Sequence, residues 1–542
     1  MHSTMQSFPL LISSVVRHGT TVHADSRIRT LQADGSVRAT TYAQLGARVA
    51  QLAHALKGLG ITGDQRVATF LWNNQEHVEA YCAVPSMGAV LHTLNIRLTP
   101  EQIAYIANHA EDQVLIAAPS LASVLAPVLP HLTTVHTVIA VGEGDLAALR
   151  ASGKTVIRYE DFLAGHPTTY DWPRLDENAA AAMCYTSGTT GNPKGVVYSH
   201  RSTYLHSMAA CSTGGFEVGL DDAVLAIVPQ FHANAWGFIY AALMSGADLV
   251  MPDRFLQTEA LVDLIELERP TITGAVPTIL SDMLSYLDTH PGHDISSLRL
   301  AVSGGSAVPR QLMEAMEQRY GVRVMQAWGM TETSPIAAVA RPRAGTEADR
   351  SRRQRASQGR VLAGVEARIV DDAGNPVPND GVSVGELQVR GPWITAGYYL
   401  DEDADNFQDG WLRTGDVGRI DGDHFITLTD RAKDVIKSGG EWISSVELEL
   451  TIATHPDVVE AAVVGVADDR WQERPLAAVV LRDGATTGPA ELRAFLKDKV
   501  ANWWIPERWT FIEQVPRTSV GKYDKKALRT RHLNGELEIC TA

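Results

Sequence analysis

Residues 185–195, Tyr-Thr-Ser-Gly-Thr-Thr-Gly-Asn-Pro-Lys-Gly, constrain this chain more than any other stretch. They set the hydroxyls of Thr186, Ser187, Thr189 and Thr190 and the glycines Gly188, Gly191 and Gly195 around one lysine, Lys194. Glycine lets a backbone adopt positive φ and approach a ligand closely, so that successive N–H groups converge on an anion. Hydroxyls donate to phosphate oxygens or bind a hard cation, and a lysine adds a mobile point charge. The pattern is that of a polyphosphate cradle. A Walker loop needs a glycine, four residues and then Gly-Lys-Ser/Thr opening a helix. Here Lys194 follows Pro193 and leads into the apolar run Val196-Val197-Tyr198. The loop is therefore expected to join two strands, over 181–185 and 196–198. A Ser/Thr/Gly surface linker is the bland alternative, and a proline-fixed lysine makes it the poorer one.

A chain of 542 residues is too long for one core and should divide into two or more units. A net charge of −16 argues against nucleic acid, whose phosphates demand a basic face. The four cysteines, Cys82, Cys184, Cys211 and Cys540, form no Cys-x-x-Cys pair, so neither a zinc site nor a disulfide framework is expected, and a reducing cytoplasm fits best. Residues 1–10 lack a basic segment followed by an apolar core, so no signal peptide is read there. The apolar run 223–244 carries Pro229, Gln230, His232 and Asn234 at its middle, where a membrane span would suffer most. It reads as a buried wall with polar groups aimed at a ligand.

Strand-like and helix-like segments alternate through the first third. Thr41 with Gln44 makes a capping box before Leu45, Val49, Leu52 and Leu56 at helical spacing. A strand over 67–72, a helix opened by Thr99-Pro100, and strands over 114–118 and 135–141 follow. Such βαβ alternation predicts parallel sheets covered by helices. Further on, a strand over 298–302 enters the turn 303–306, a helix runs from about 309 to 320 and stops at Gly321, and a strand covers 322–325. A hydrolase elbow at Ser306 fails because position 308 is valine. Six arginines within 341–355 read as a solvated loop or exposed helix more readily than as an anion site. Beyond Pro378 the chain turns mostly β until Asp430. Strands over 458–466, 476–481 and 509–512 and a helix over 489–500 then describe a compact α+β unit. The expected class is α/β: a large N-terminal domain (1–430) of doubly wound α/β subdomains plus a β-rich part, and a small mobile α+β domain (431–542).

Five more segments carry chemistry. Residues 326–333 read Gln-Ala-Trp-Gly-Met-Thr-Glu-Thr; 410–416 end in Thr414-Gly415-Asp416; 430–442 run from Asp430 through Gly439-Gly440 to Trp442. Residues 516–522 end in Gly521-Lys522, and 229–236 contain His232 and Trp236. Alone, each has a plain structural explanation: a capping acid, a turn, a core tryptophan or histidine. Ser519 to Lys522 also spells Ser-x-x-Lys, but the partner motifs of β-lactamases are missing.

Together with the first loop, these segments resemble the motifs of the AMP-forming adenylating enzymes, in the family's order. That family comprises acyl- and aryl-CoA synthetases, luciferases and peptide-synthetase adenylation domains. The likeness spans 185–525 and is greatest to medium- and long-chain fatty acyl-CoA synthetases. It implies an ATP/AMP site made by Thr186, Ser187, Gly188, Thr189, Thr190, Gly191, Lys194, Gly304, Gly305, Gln326, Ala327, Trp328, Gly329, Thr331, Asp416 and Arg431. Trp328 would stack on adenine, Asp416 would accept both ribose hydroxyls, and Thr186 with Glu332 would hold Mg²⁺. Lys522 would be the adenylation lysine, acting with Glu332 and His232. His232, Trp236, Gly305, Lys437, Gly439, Gly440 and Trp442 would border the acid and coenzyme A, with Trp236 as gate of an acyl tunnel and Asp430 as pivot of the small domain.

The implied reaction joins a carboxylic acid to CoA through acyl-AMP, using ATP, Mg²⁺ and coenzyme A. The acid is expected to be a medium- or long-chain fatty acid. An acyl-AMP ligase that loads a carrier protein, a ligase for short thioether or aryl acids, and a non-catalytic nucleotide-binding protein remain as alternatives. No nucleic acid or membrane segment is expected, and a homodimer is the candidate assembly.

Overall fold

In the computed structural model the described residues are all but 187–191, 401–405, 432–433, 439–440, 498, 519–521 and 542, and the side chains of 441 and 442 are likewise outside them. Helices begin where the sequence supplies caps. Thr41 accepts from the N–H of Gln44, and the Gln44 side chain accepts from the N–H of Thr41, opening helix Tyr42–Gly58. Its Leu45, Val49, Leu52 and Leu56 are fully buried. The same reciprocal cap between Thr99 and Gln102 opens Pro100–His109, with proline in its first turn. Helix Arg310–Tyr320 ends at Gly321, whose φ of +73° suits glycine.

Among the described residues the strands form four sheets. One has seven strands in the order Thr155–Arg158, Thr137–Ala140, Asp112–Ala117, Arg66–Phe70, Val90–Thr93, Ala180–Thr186, Lys194–Ser199; all pairs are parallel except the last. The second has nine strands, with a parallel middle running from Arg27–Leu31 through Asp248–Met251, Ala223–Leu225, Ile272–Ala275 and Leu300–Ser303 to Arg323–Gly329. It is apolar on both faces: Val224, Ile272 and Leu300 belong to one core, Leu225, Ala275 and Ala301 to another. That is the doubly wound arrangement expected. The third sheet is antiparallel and contains Glu366–Val370, Gly385–Arg390, Trp411–Ile420 and Ile426–Arg431. The fourth, built on the long hairpin Val458–Asp468 and Gln472–Leu481, has its own core around Trp509, Leu448 and Val463.

The apolar run near 223–244 is a short strand, a turn and the helix Phe238–Ser245. Among the described residues no helix is long and apolar enough to cross a membrane. The arginine-rich stretch forms helix Ala348–Arg355, and its charges are spent locally: Arg355 pairs with Glu317 at 2.6 Å, Arg350 with Asp423 and Arg352 with Asp349.

Candidate active site

The expected cradle is a hairpin at one edge of the seven-stranded sheet, and its root is well held. Thr186 lies opposite Lys194 and Tyr185 opposite Gly195. The Tyr185 hydroxyl is 2.6 Å from Nδ1 of His109, and the N–H of Tyr399 donates to the Gly195 carbonyl at 2.8 Å. Ser187, Gly188, Thr189, Thr190 and Gly191 lie outside the described residues. Nζ of Lys194 stands 5.0 Å from the centre of the Tyr398 ring.

Glu332 sits in the short turn after strand Arg323–Gly329, with only 5% of its surface exposed. Tyr398 donates its hydroxyl to Glu332 Oε1 at 2.8 Å, and the Thr395 N–H donates to the Glu332 carbonyl at 2.8 Å. Tyr198, on the exit strand of the hairpin, donates to the Thr331 carbonyl at 2.8 Å. The strands that flank the expected cradle and the acidic turn are thus tied to each other through residues far apart in sequence.

Trp328 and Asp416, both buried, meet the partly exposed Arg431. Nε1–H of Trp328 donates to Asp416 Oδ2 at 2.8 Å, and Nε of Arg431 lies 2.9 Å from Asp416 Oδ1. Asp416 holds the Arg431 guanidinium more firmly protonated than usual. Both oxygens expected to receive a ribose therefore already carry a donor, although each has a second lone pair. The Gln326 Oε1 accepts from the Val308 N–H at 2.8 Å and its Nε2 donates to the Ser357 carbonyl at 2.9 Å. The amide is thus fixed at both ends, with one N–H and one lone pair still to spare. Ala327 and Gly329 take part through the backbone: the Ala327 carbonyl would stand 2.9 Å from a Cβ on Gly304, and Gly329 packs against Pro335.

The acyl segment has a backbone that no propensity would suggest. Ala233, Asn234, Ala235, Trp236 and Gly237 all have positive φ, from 42° to 78°. This is one turn of left-handed helix. Left-handed backbone costs about 1–2 kcal/mol per non-glycine residue, so four such residues store on the order of 4–8 kcal/mol. Buried side chains hold the turn in place. Asn234 Oδ1 accepts from Cys184 Sγ at 3.3 Å, and the Tyr81 hydroxyl stands 3.4 Å away. His206 presses on Gly237, where a Cβ would fall 2.5 Å from the imidazole. Its Nε2 accepts from the Ile336 N–H, and burial pushes its pKa down to about 3. The turn lays the Trp236 indole over Gly304, 3.4 Å from where a Cβ would stand. The Gln230 amide, fully buried, has no hydrogen-bond partner among the described residues.

Lys522 reaches into this site from the C-terminal unit. Its Cε would be 3.1 Å and its Nζ 3.9 Å from a Cβ on Gly305, whose φ is +89°. Burial, then Lys522, then Arg97 push the His232 pKa down to about 3. At neutral pH His232 can orient a carboxylate by hydrogen bonding but brings no charge. Lys437 is exposed on strand Ile436–Ser438, its N–H donating to Glu473, and no described contact joins it to the Lys522 cluster. Gly439, Gly440 and the Trp442 side chain lie outside the described residues. A cavity of about 700 Å³ opens elsewhere, between the helices that carry Val15, Tyr204 and Met244, and none of the site residues line it.

The sequence reading missed Tyr398, His206, Asn234 as a clamp, and Arg97, which stands 6.0 Å from the Phe231 ring. Only Asn234 carried a local signal, since asparagine tolerates left-handed backbone.

Known proteins match this geometry closely. The profile described as AMP-binding enzyme matches residues 20–399, and that of the AMP-binding enzyme C-terminal domain matches 447–522. A 3-methylmercaptopropionyl-CoA ligase of Ruegeria pomeroyi is 44% identical over 533 residues, 98% of both chains. A long-chain-fatty-acid–CoA ligase of Thermus thermophilus is 44% identical over 507 residues, 92% of this chain and 91% of that one. The crystal structure of the anthranilate CoA ligase AuaEII in complex with anthranoyl-AMP superposes with a TM-score of 0.88 at 26% identity, covering 98% of this chain and all of that one.

Proposed function

The chain belongs to the AMP-binding enzyme family and is an AMP-forming acyl-CoA synthetase, and from that premise we propose that it activates a medium- or long-chain fatty acid. The observation that carries this reading is that Lys522 comes against Gly305, Trp236 against the neighbouring Gly304, and His232 close enough to feel the Lys522 charge. A cation reaches the place where a carboxylate would lie, beside a neutral imidazole and close to the Trp236 indole that covers Gly304.

In the first step a carboxylate oxygen attacks the α-phosphorus of ATP, and pyrophosphate leaves with the electrons of the broken P–O bond. Lys522 stabilises the negative charge gathered between carboxylate and phosphate. Asp416 and Arg431 hold the ribose side, Trp328 the base, and the hairpin around Lys194 the β- and γ-phosphates. Mg²⁺ fits Glu332 with Thr186: Glu332 is a buried carboxylate with one oxygen held by a neutral hydroxyl and no cation paired to it among the described residues. When bound, the ion would neutralise phosphate charge. In the second step the CoA sulfur attacks the acyl carbon, the bond to the AMP oxygen breaks, and the thiol proton is released.

The two steps need different groups at one site, which favours a pivot at Asp430 between a large unit (1–430) and a small one (431–542). Asp430 lies at the end of strand Ile426–Arg431, and its carboxylate accepts from the N–H and hydroxyl of Ser445 in the following helix. It therefore ties the third sheet to the helix that follows it.

A second reading has its own support. The 44% identity over 98% of both chains with the 3-methylmercaptopropionyl-CoA ligase favours a short thioether acid. Either way, pyrophosphate and CoA thioester should appear in a ratio of one to one. Pyrophosphate release without a CoA thioester, accompanied by loading of a carrier protein, would refute the CoA-dependent step.

A further inference from the structure

The segment around Tyr398 touches both halves of the phosphate site, and no motif marks it. Four residues of one short stretch reach across through five hydrogen bonds. Trp393 Nε1–H donates to the Ile336 carbonyl at 2.9 Å, and Ser334 donates its hydroxyl to the Trp393 carbonyl at 2.7 Å. The Thr395 N–H holds the Glu332 carbonyl, the Tyr398 hydroxyl holds Glu332 Oε1, and the Tyr399 N–H holds the Gly195 carbonyl. The same Tyr398 ring faces the ammonium of Lys194 at 5.0 Å and packs edge-on against Phe407 at 5.3 Å.

We propose that Tyr398 is a positioning residue for the metal and triphosphate: its hydroxyl fixes the Glu332 carboxylate and its ring fixes Lys194, so that cation and phosphates meet a preset pair. The inference rests on the reading of Glu332 as the Mg²⁺ ligand. A buried carboxylate with one oxygen engaged has one preferred rotation and presents the other oxygen along a fixed direction. Outer hydrogen bonds of this kind raise metal affinity by about 10- to 100-fold. A phenol suits the task because it donates without cancelling the charge that the metal needs. The ring face attracts the ammonium and holds it on the side of the hairpin that faces Glu332's partner.

The test uses Mn²⁺ as probe, titrated by electron paramagnetic resonance into full-length protein saturated with α,β-methylene-ATP. Tyr398→Phe keeps the ring and its packing and removes only the hydroxyl. It should weaken Mn²⁺ binding about tenfold and raise the Mg²⁺ concentration needed for adenylate formation, while thioesterification of supplied acyl-AMP stays unchanged. Tyr398→Leu should weaken the nucleotide as well as the metal. Glu332→Gln separates the two levels of inference. If Glu332→Gln weakens Mn²⁺ and Tyr398→Phe does not, the role of Tyr398 is overturned. If Glu332→Gln leaves Mn²⁺ binding intact, Glu332 is no metal ligand and the proposal falls with that reading. Parallel weakening by both variants, with the phenylalanine variant melting at the wild-type temperature, supports it.

Discussion

Removing the ammonium of Lys522 should damage one half-reaction and spare the other. Its Nζ lies 3.9 Å from where a side chain on Gly305 would begin, where the proposed acyl and phosphate sides would meet. A unit charge at about 4 Å in an effective dielectric of about 20 is worth roughly 4 kcal/mol. Each 1.36 kcal/mol is about tenfold in rate, so full use of that charge gives about 10³-fold. Lys522 is partly exposed, and solvent screening lowers the figure towards about 10²-fold. Pyrophosphate exchange with the acid substrate should therefore fall by about 10²- to 10³-fold in Lys522→Ala. Single-turnover transfer from synthetic acyl-AMP to CoA should change only a few-fold, because on the proposed pivot the small unit turns the lysine away before that step. Equal losses in both assays would refute the assignment and make Lys522 a structural or general electrostatic residue.

Two further outcomes follow from burial and backbone geometry. At position 234, alanine keeps a Cβ in left-handed backbone and loses the acceptor for Cys184; glycine loses the same acceptor but relieves about 1 kcal/mol of strain. Asn234→Gly should thus melt above Asn234→Ala although it deletes more atoms, and the reverse order would show that the turn is not strained. Burial pushes His206 to about 3 and His77 and His200 to about 4, so all three are neutral in the fold and bind protons when unfolded below about pH 6.5. Their stabilisation is complete above that pH and shrinks as the pH falls towards 4, by about 1.4 kcal/mol per unit for each group. The melting temperature should drop between pH 7 and 5, and His206→Gln should flatten the drop; an unchanged slope would contradict it.

Local chemistry carried much of the fold into the sequence. The reciprocal caps at Thr41 and Thr99, the stop at Gly321 and the strand–loop–strand setting of Lys194 all depend on residues within a few positions of one another. The arginines of 341–355 were legible as a solvated helix from their own charge run, although only Asp349 is a sequence neighbour and the partners Glu317 and Asp423 lie 38 and 73 residues away. Long-range partners were not legible. Tyr398 finds Glu332 across 66 residues and Trp328 finds Asp416 across 88, and neither pairing leaves a periodic trace. The left-handed turn was hidden for a different reason: Ala233, Ala235 and Trp236 disfavour it locally, and only the tertiary clamp of His206, Tyr81 and Cys184 imposes it. Nor did the sequence show that the Gln326 amide is held by Val308 and Ser357.

The most direct test of the substrate assignment is CoA-thioester formation across straight-chain acids from four to sixteen carbons, with 3-methylmercaptopropionate beside them. Each methylene buried beyond Trp236 should contribute about 0.8 kcal/mol, or roughly fourfold in kcat/KM, until the chain meets the end of its space. The account predicts a rise along that slope, then a break, and a Trp236→Ala variant in which the slope flattens or the break moves to longer acids while ATP binding is kept. A flat series, or one in which the short thioether acid exceeds every longer acid, would contradict the fatty-acid reading and return Trp236 to the role of a wall.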